Sequence, residues 1–332
     1  MTLKTLRNLL LAAIKLALSG LLIWYVTTKI DIGSALVHLQ NLSGVIAIAV
    51  VAVIISGFAV AGYRLRPILG MFGERCSFLM GFQTMWIGNF FGQALVTFLT
   101  GDAVRIWWIM RLGIGLRVAA SAILIDRAIG FIALMVLVLL ALTPLLDLTG
   151  DAVMRAGLFS VALAGTGAIV AFFVLGRMVP ERMHQSRYIG FLADIASASR
   201  HALAAPRESV FAFVLSIGVQ LIMVLAVFIL AREFGLEVGY TQCLIVVPVV
   251  VLISMMPIFV AGWGAREFLM VQAFGLMGFP ADKVLAVSIT FGLGLMIASA
   301  PGGVLWLINR RAKDETPAKE ETTVSDPTGG TG

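Results

Sequence analysis

Continuous apolar runs, each close to a membrane thickness in length as helix, constrain this sequence more than any other feature. They lie near 8–27, 43–62, 78–99, 118–143, 156–176, 209–231, 241–260, 263–277 and 284–308. About 20 helical residues cross a hydrocarbon core of roughly 30 Å. Inside lipid every backbone N–H and C=O needs a partner within a helix or a closed barrel. A barrel would show short alternating strands, whereas these runs are unbroken and rich in Leu, Ala, Val, Ile and Met. Hydrophobic residues make up 60% of the 332 and charged residues 13%, against roughly 25% charged in soluble domains. The expected fold is therefore all-α, a polytopic transmembrane helical bundle.

The net charge of +6 has a different meaning here than in a soluble chain. The basic residues sit between apolar runs, where they set orientation and face anionic headgroups. Membrane lipids are the expected partners and nucleic acid is not. The two cysteines, Cys76 and Cys243, are isolated. They predict neither a disulfide nor a metal framework, and no cofactor is expected. Lys4 and Arg7 precede an apolar run too long for a signal-peptide core, with Lys15 inside it and no small-x-small cleavage site. The reading is a retained first span.

Basic residues place the connections. Arg64, Arg66 and Arg75 mark 63–77 as internal, Arg177, Arg182, Arg187, Arg200 and Arg207 mark 177–208, and Arg310, Arg311 and Lys313 mark the C-terminus. The 28–42, 144–155 and 232–240 connections read as external. Both termini are then cytoplasmic. One connection conflicts with simple alternation: 100–117 should be external yet carries Arg105, Arg111 and Arg117. The conflict disappears if 78–99 enters and returns on one side, turning at Gly88-Asn89. The second half requires the same of 241–277, breaking around Pro257 and Gly262-Trp263-Gly264. This gives about six full spans plus two re-entrant helix pairs, an inverted repeat of halves 1–150 and 151–311 joined by an amphipathic cytoplasmic linker at 177–208. The alternative is about eight ordinary spans with one exception to the charge rule. Residues 181–205 suit a helix on the leaflet surface or a plain linker. Residues 312–332 read as a disordered cytoplasmic tail.

A charge near the bilayer centre costs at least about 2.5–3.5 kcal/mol, so such residues usually have a task. Asp126 and Arg127 interrupt an apolar helix. As neighbours they point about 100° apart, and each needs a partner elsewhere. A structural ion pair is the plainer alternative. Gly262 and Gly264 precede Arg266 and Glu267, a pattern that places a helix N-terminus and a cation beside a backbone break and so attracts an anion. For Glu267 the alternative is helix capping. Asp102 and Arg105 repeat the pattern in the first half, and Asn89 sits at the first turn-back point. Gly88-x-x-x-Gly92 has helix-packing spacing. Lys15 suits snorkelling or pairing more than ligand binding. His38, His184 and His201 fall in expected loops. The sequence has no Walker loop, GxSxG, HExxH or dinucleotide fingerprint, so it is not expected to be an enzyme or to hydrolyse ATP.

The run Leu99-Thr100-Gly101-Asp102-x-x-Arg105, with Gly113, Ala119 and Asp126-Arg127, resembles the first signature of the flippase-like family named after the transmembrane region of lysylphosphatidylglycerol synthase. Pro257 through Gly262-x-Gly264-x-Arg266-Glu267, with Gly278, Ala286 and the closing Gly302-Gly303, resembles the second. The likeness extends to about residue 311. It implies movement of a lipid across the bilayer: an anionic or aminoacylated phospholipid, or a polyprenyl-phosphate-linked glycolipid. The bifunctional synthases continue into a soluble transferase domain that this sequence lacks, so a stand-alone role is expected. The alternative is a non-catalytic scaffold for a glycosyltransferase or lipid synthase. In the transport reading Arg266 and the Gly262–Gly264 break hold the phosphate, with Arg127 and Arg105 as counterparts.

Overall fold

The computed structural model describes residues 37–94, 98–148, 152–178, 190–255 and 264–314. These form ten helices of 11 residues or more: α1 Gly44–Gly70, α2 Phe78–Ala94, α3 Phe98–Arg111, α4 Leu116–Leu148, α5 Ala152–Met178, α6 Gly190–Ala204, α7 Pro206–Glu233, α8 Tyr240–Ser254, α9 Ala265–Gly275 and α10 Ala281–Asp314. No strand occurs among the described residues. The molecule is a polytopic helical bundle. Helices α1, α4, α5, α7 and α10 are long and apolar enough to cross a membrane. The first expected span, with Lys15, lies outside the described residues.

The other helices of the two halves are short. α2, α3, α8 and α9 have 17, 14, 15 and 11 residues, below the ~20 a crossing needs. They come as consecutive packed pairs, α2 with α3 and α8 with α9. The packing repeats between halves. α1 packs on α2 as α7 does on α8, and α3 on α4 as α9 does on α10. Across the halves, α10 meets α2 and α1 just as α4 meets α8 and α7. Exchanging α1–α4 for α7–α10 maps these contacts onto themselves. The counterparts α1 and α7 touch and run antiparallel: the Ser43 N–H donates to Glu233 at 3.0 Å near one end, and Arg64 reaches Ser216 near the other. Antiparallel counterparts are what a two-fold axis in the membrane plane generates.

The first pair differs from its expected form. α2 runs to Ala94 and α3 begins at Phe98, and Gly88-Asn89 lies inside α2. The glycines serve close approach instead of a turn. A Cβ on Gly101 would meet the Gly88 carbonyl at 2.6 Å and Gly92 Cα at 3.3 Å, so the two helices touch backbone to backbone. The pair therefore extends from Phe78 to Arg111, and most of the connection expected at 100–117 is helix. The second pair breaks between Ser254 and Ala265, where the sequence placed it. Pro257 and Gly262 lie outside the described residues.

Three other boundaries move. α1 continues through Pro67 to Gly70, well past the apolar run ending at 62, so Arg64 and Arg66 are helical rather than in a connection. α6 packs against α4, α5 and α7, burying Ala196, Ala198, Ser199 and Ala202. α10 runs to Asp314, so the first residues of the expected tail are helical. His201 lies on α6, stacked on Phe72 at 4.5 Å, and His38 is 3.2 Å from Asp282. His184 lies outside the described residues. Both cysteines are buried and unpaired.

Small residues make this packing possible. A Cβ at Gly62 would meet the Phe82 Cα at 2.6 Å, and a backbone atom cannot rotate away. Gly62→Val should cost at least about 1–3 kcal/mol by overpacking. Gly218→Val, with open space at its Cβ position, should cost much less. Thermal unfolding of the two purified variants checks this, with a clearly lower midpoint for the first.

Candidate functional site

The site starts from α4, whose stretch from Val118 to Leu146 carries charge at only two neighbouring residues. Asp126 lies ten residues into the helix, about 15 Å along its axis, and is 1% exposed. Such a carboxylate requires partners. Arg64 of α1 supplies them: its Nε donates to Oδ1 at 2.8 Å, and Nη2 stands 2.7 Å from the same oxygen. Arg64 Nη1 donates to Ser216 on α7 at 2.7 Å, so this pair ties the two halves together. Arg105 of α3 comes within 3.9 Å of the second Asp126 oxygen.

Arg127, turned about 100° around α4, faces elsewhere. Its guanidinium grips Asp102 of α3 through contacts of 2.6, 2.8 and 3.0 Å, the forked geometry that makes arginine–carboxylate bonds strong. Asp102 also lies 3.4 Å from Arg105, and Arg105 donates to Asn89 of α2 at 3.1 Å. The Arg105 side chain crosses Gly88, where a Cβ would overlap it. Among the described residues the cluster holds three arginines against two aspartates, one positive charge in excess. Arg127 is its accessible member, with a side chain 37% exposed against 5% for Arg105 and 9% for Arg64.

The second half is arranged differently. Gly264, at φ +82°, precedes α9, and its N–H donates to Glu267 Oε2 at 2.7 Å. The other oxygen of Glu267 accepts from Arg266 at 2.6 and 3.1 Å, and Ser288 of α10 stands 3.5 Å away. Glu267 thus supplies the anion that this helix N-terminus favours, the capping role its position allowed. The Arg266 guanidinium also lies 5.8 Å from the Phe291 ring centre.

One cavity of about 310 Å³ joins the two arrangements, lined by Asn89, Arg105 and Arg127 from the first half and Gln220, Ser254 and Arg266 from the second. Asp126 and Arg64 also reach it. Asp102 and Glu267 hold arginines from behind. Among the described residues, the buried Arg105 Nε and Ser254 Oγ have no hydrogen-bond partner. Sequence reasoning missed Arg64, Ser216, Gln220, Ser254 and Ser288. For Arg64 a signal existed: Gly57, Ala61 and Arg64 fall at i, i+4 and i+7, one helix face that continues beyond the apolar run.

A family described as the lysylphosphatidylglycerol synthase TM region matches residues 12–302. The chain belongs to that family. The match takes in both helix pairs and every residue of the cavity named above. Membership of the lysylphosphatidylglycerol synthase TM family makes this a multi-pass membrane protein tied to lipid metabolism, with lipids as its surroundings and partners. No curated protein matches the chain.

Proposed function

We infer that the chain moves a lipid across the bilayer, its headgroup passing through the cavity between the halves while its acyl chains stay in the hydrocarbon. The excess positive charge of the Arg64–Asp126–Arg105–Asp102–Arg127 cluster carries this reading. An uncompensated cation at membrane depth is costly, and an anionic headgroup offsets that cost in the bound state. The phosphate of a phospholipid or of a polyprenyl-linked glycolipid supplies this charge. Arg127 would meet it first, and Arg266 faces the same cavity from the other half. The Ser254 hydroxyl, buried with no hydrogen-bond partner among the described residues, offers a further donor. The sequence carries no ATP-binding motif, so the movement would run downhill or on an ion gradient, with no chemical step. The protein would sit in a bacterial cytoplasmic membrane with both termini inside.

A scaffold role for a glycosyltransferase or lipid synthase rests on a different observation: each of these arginines already has a carboxylate partner. A lipid panel separates the readings. Purified protein is placed in vesicles with labelled anionic, zwitterionic or polyprenyl-phosphate lipid, and an impermeant reagent reads headgroup exposure. Transport predicts acceleration for an anionic class over protein-free vesicles. A scaffold accelerates none of the three.

A further inference from the structure

Arg127 belongs to two cavities at once. With Phe131 it lines the polar cavity, and the same two residues line a groove of about 420 Å³ whose other walls are apolar. That groove runs along the seam of α4 and α5, with Leu124, Ala128 and Ile132 on one side, Ala168 and Phe172 on the other, and Ile195 of α6 at its edge. A second apolar groove of about 270 Å³ adjoins it, sharing Ala128, Ile132 and Phe172. Further along α5 the seam closes, because Gly165 packs against Met135 so tightly that a Cβ would overlap it. Beyond that contact α5 faces another apolar groove of about 270 Å³, formed mainly with α8 and α9 and lined by Leu145, Leu158, Val161, Val249 and Leu269. Leu158, Val161, Gly165, Ala168 and Phe172 lie at i, i+3, i+7, i+10 and i+14, one stripe of α5.

We propose that the α4–α5 groove beside Arg127 seats one acyl chain of the transported lipid, and that the lipid enters the cavity sideways there, from the leaflet that holds α6. The occupant follows from charge and continuity. The groove is apolar along its length except for Arg127 in its wall, which matches an acyl chain joined to a phosphate headgroup. Other apolar faces of the bundle, such as that of α10 around Val304 and Leu307, are exposed but have no cation of the cluster at their edge. The proposal rests on the transport reading for its direction of travel. The groove and its occupant stand apart from it.

A phosphatidylglycerol bearing a photoreactive diazirine on its acyl chain tests this in lipid nanodiscs, with a phosphatidylcholine version as control and cross-linked peptides identified by mass spectrometry. The phosphatidylglycerol probe should label 124–132 and 168–172 above all other segments. Arg127→Ala, which removes the groove's cation, should cut that labelling by roughly tenfold, the loss of about one charge-assisted contact, and Ala168→Phe, which fills the groove, should cut it by a similar factor by excluding the chain. Val304→Phe should not change it. Ile169→Trp replaces Ala168→Phe if that variant fails to fold. Labelling spread evenly over the exposed helices, labelling indifferent to headgroup or to Arg127, or a cross-link to a second copy across the seam would each overturn the proposal. Seam labelling without headgroup movement in vesicles would keep the groove and end the transport reading. Movement without seam labelling would do the reverse.

Discussion

Arg127→Ala is expected to keep the fold and to weaken anionic-lipid binding by about 10- to 100-fold, the worth of one charge-assisted hydrogen bond at roughly 1.5–3 kcal/mol. The fold should survive because of the charge balance around Arg127. Its partner Asp102 retains Arg105 at 3.4 Å, and removing one arginine leaves the buried cluster with two cations against two carboxylates. The side chain is also 37% exposed, so little packing is lost. Binding should suffer because the excess charge and the accessible donor are the same group. The measurement is the rise in thermal unfolding midpoint on titrating phosphatidylglycerol into detergent-solubilised protein. Wild type should gain stability with added lipid by mass action, and the variant should need at least about tenfold more lipid for the same gain.

Asp126→Asn should do the opposite, harming the fold first. Asparagine has nearly the same shape and keeps a carbonyl for Arg64, so packing is almost unchanged. What changes is charge: Arg64, Arg105 and Arg127 would then face the single carboxylate of Asp102. Breaking a buried pair by removing one partner costs about 3–5 kcal/mol, a large part of a typical stability of 5–15 kcal/mol. The expected result is a much lower unfolding midpoint and poor recovery from the membrane. Removing both partners, Arg64→Met with Asp126→Leu, should recover much of the loss, giving a coupling of about 2 kcal/mol or more in a double-mutant cycle. Near-wild-type stability for Asp126→Asn would mean that the pair does not hold α1 to α4.

Much of this architecture was legible because the bilayer writes it into composition and charge. The long helices follow from apolar length, and the paired short helices follow from arginines on the wrong side of a simple alternation. The break before Ala265 was readable because Gly264 and Glu267 are adjacent to it in sequence. The division of the first pair between Ala94 and Phe98 was not. Gly88 looks like a turn residue, and only the approach of Gly101 and Arg105 from the next helix shows why it is small. Arg64 was hidden for a related reason. It stands past the end of an apolar run, as positive-inside residues do, and its task depends on Asp126, 62 residues away. Asp126 and Arg127 were visible as intruders, but their separate partners required the fold. Arg266 looked the stronger anion site from local pattern, and the geometry places Glu267 directly upon it.

The most direct test of the central claim is the initial rate of headgroup exposure to an impermeant reagent, taken together on protein-free vesicles, vesicles with wild-type protein and vesicles with Arg127→Ala at matched protein content. The account predicts fast exposure of an anionic lipid for wild type and a rate near the protein-free baseline for Arg127→Ala. Equal rates for wild type and Arg127→Ala, whether both fast or both at baseline, would contradict it.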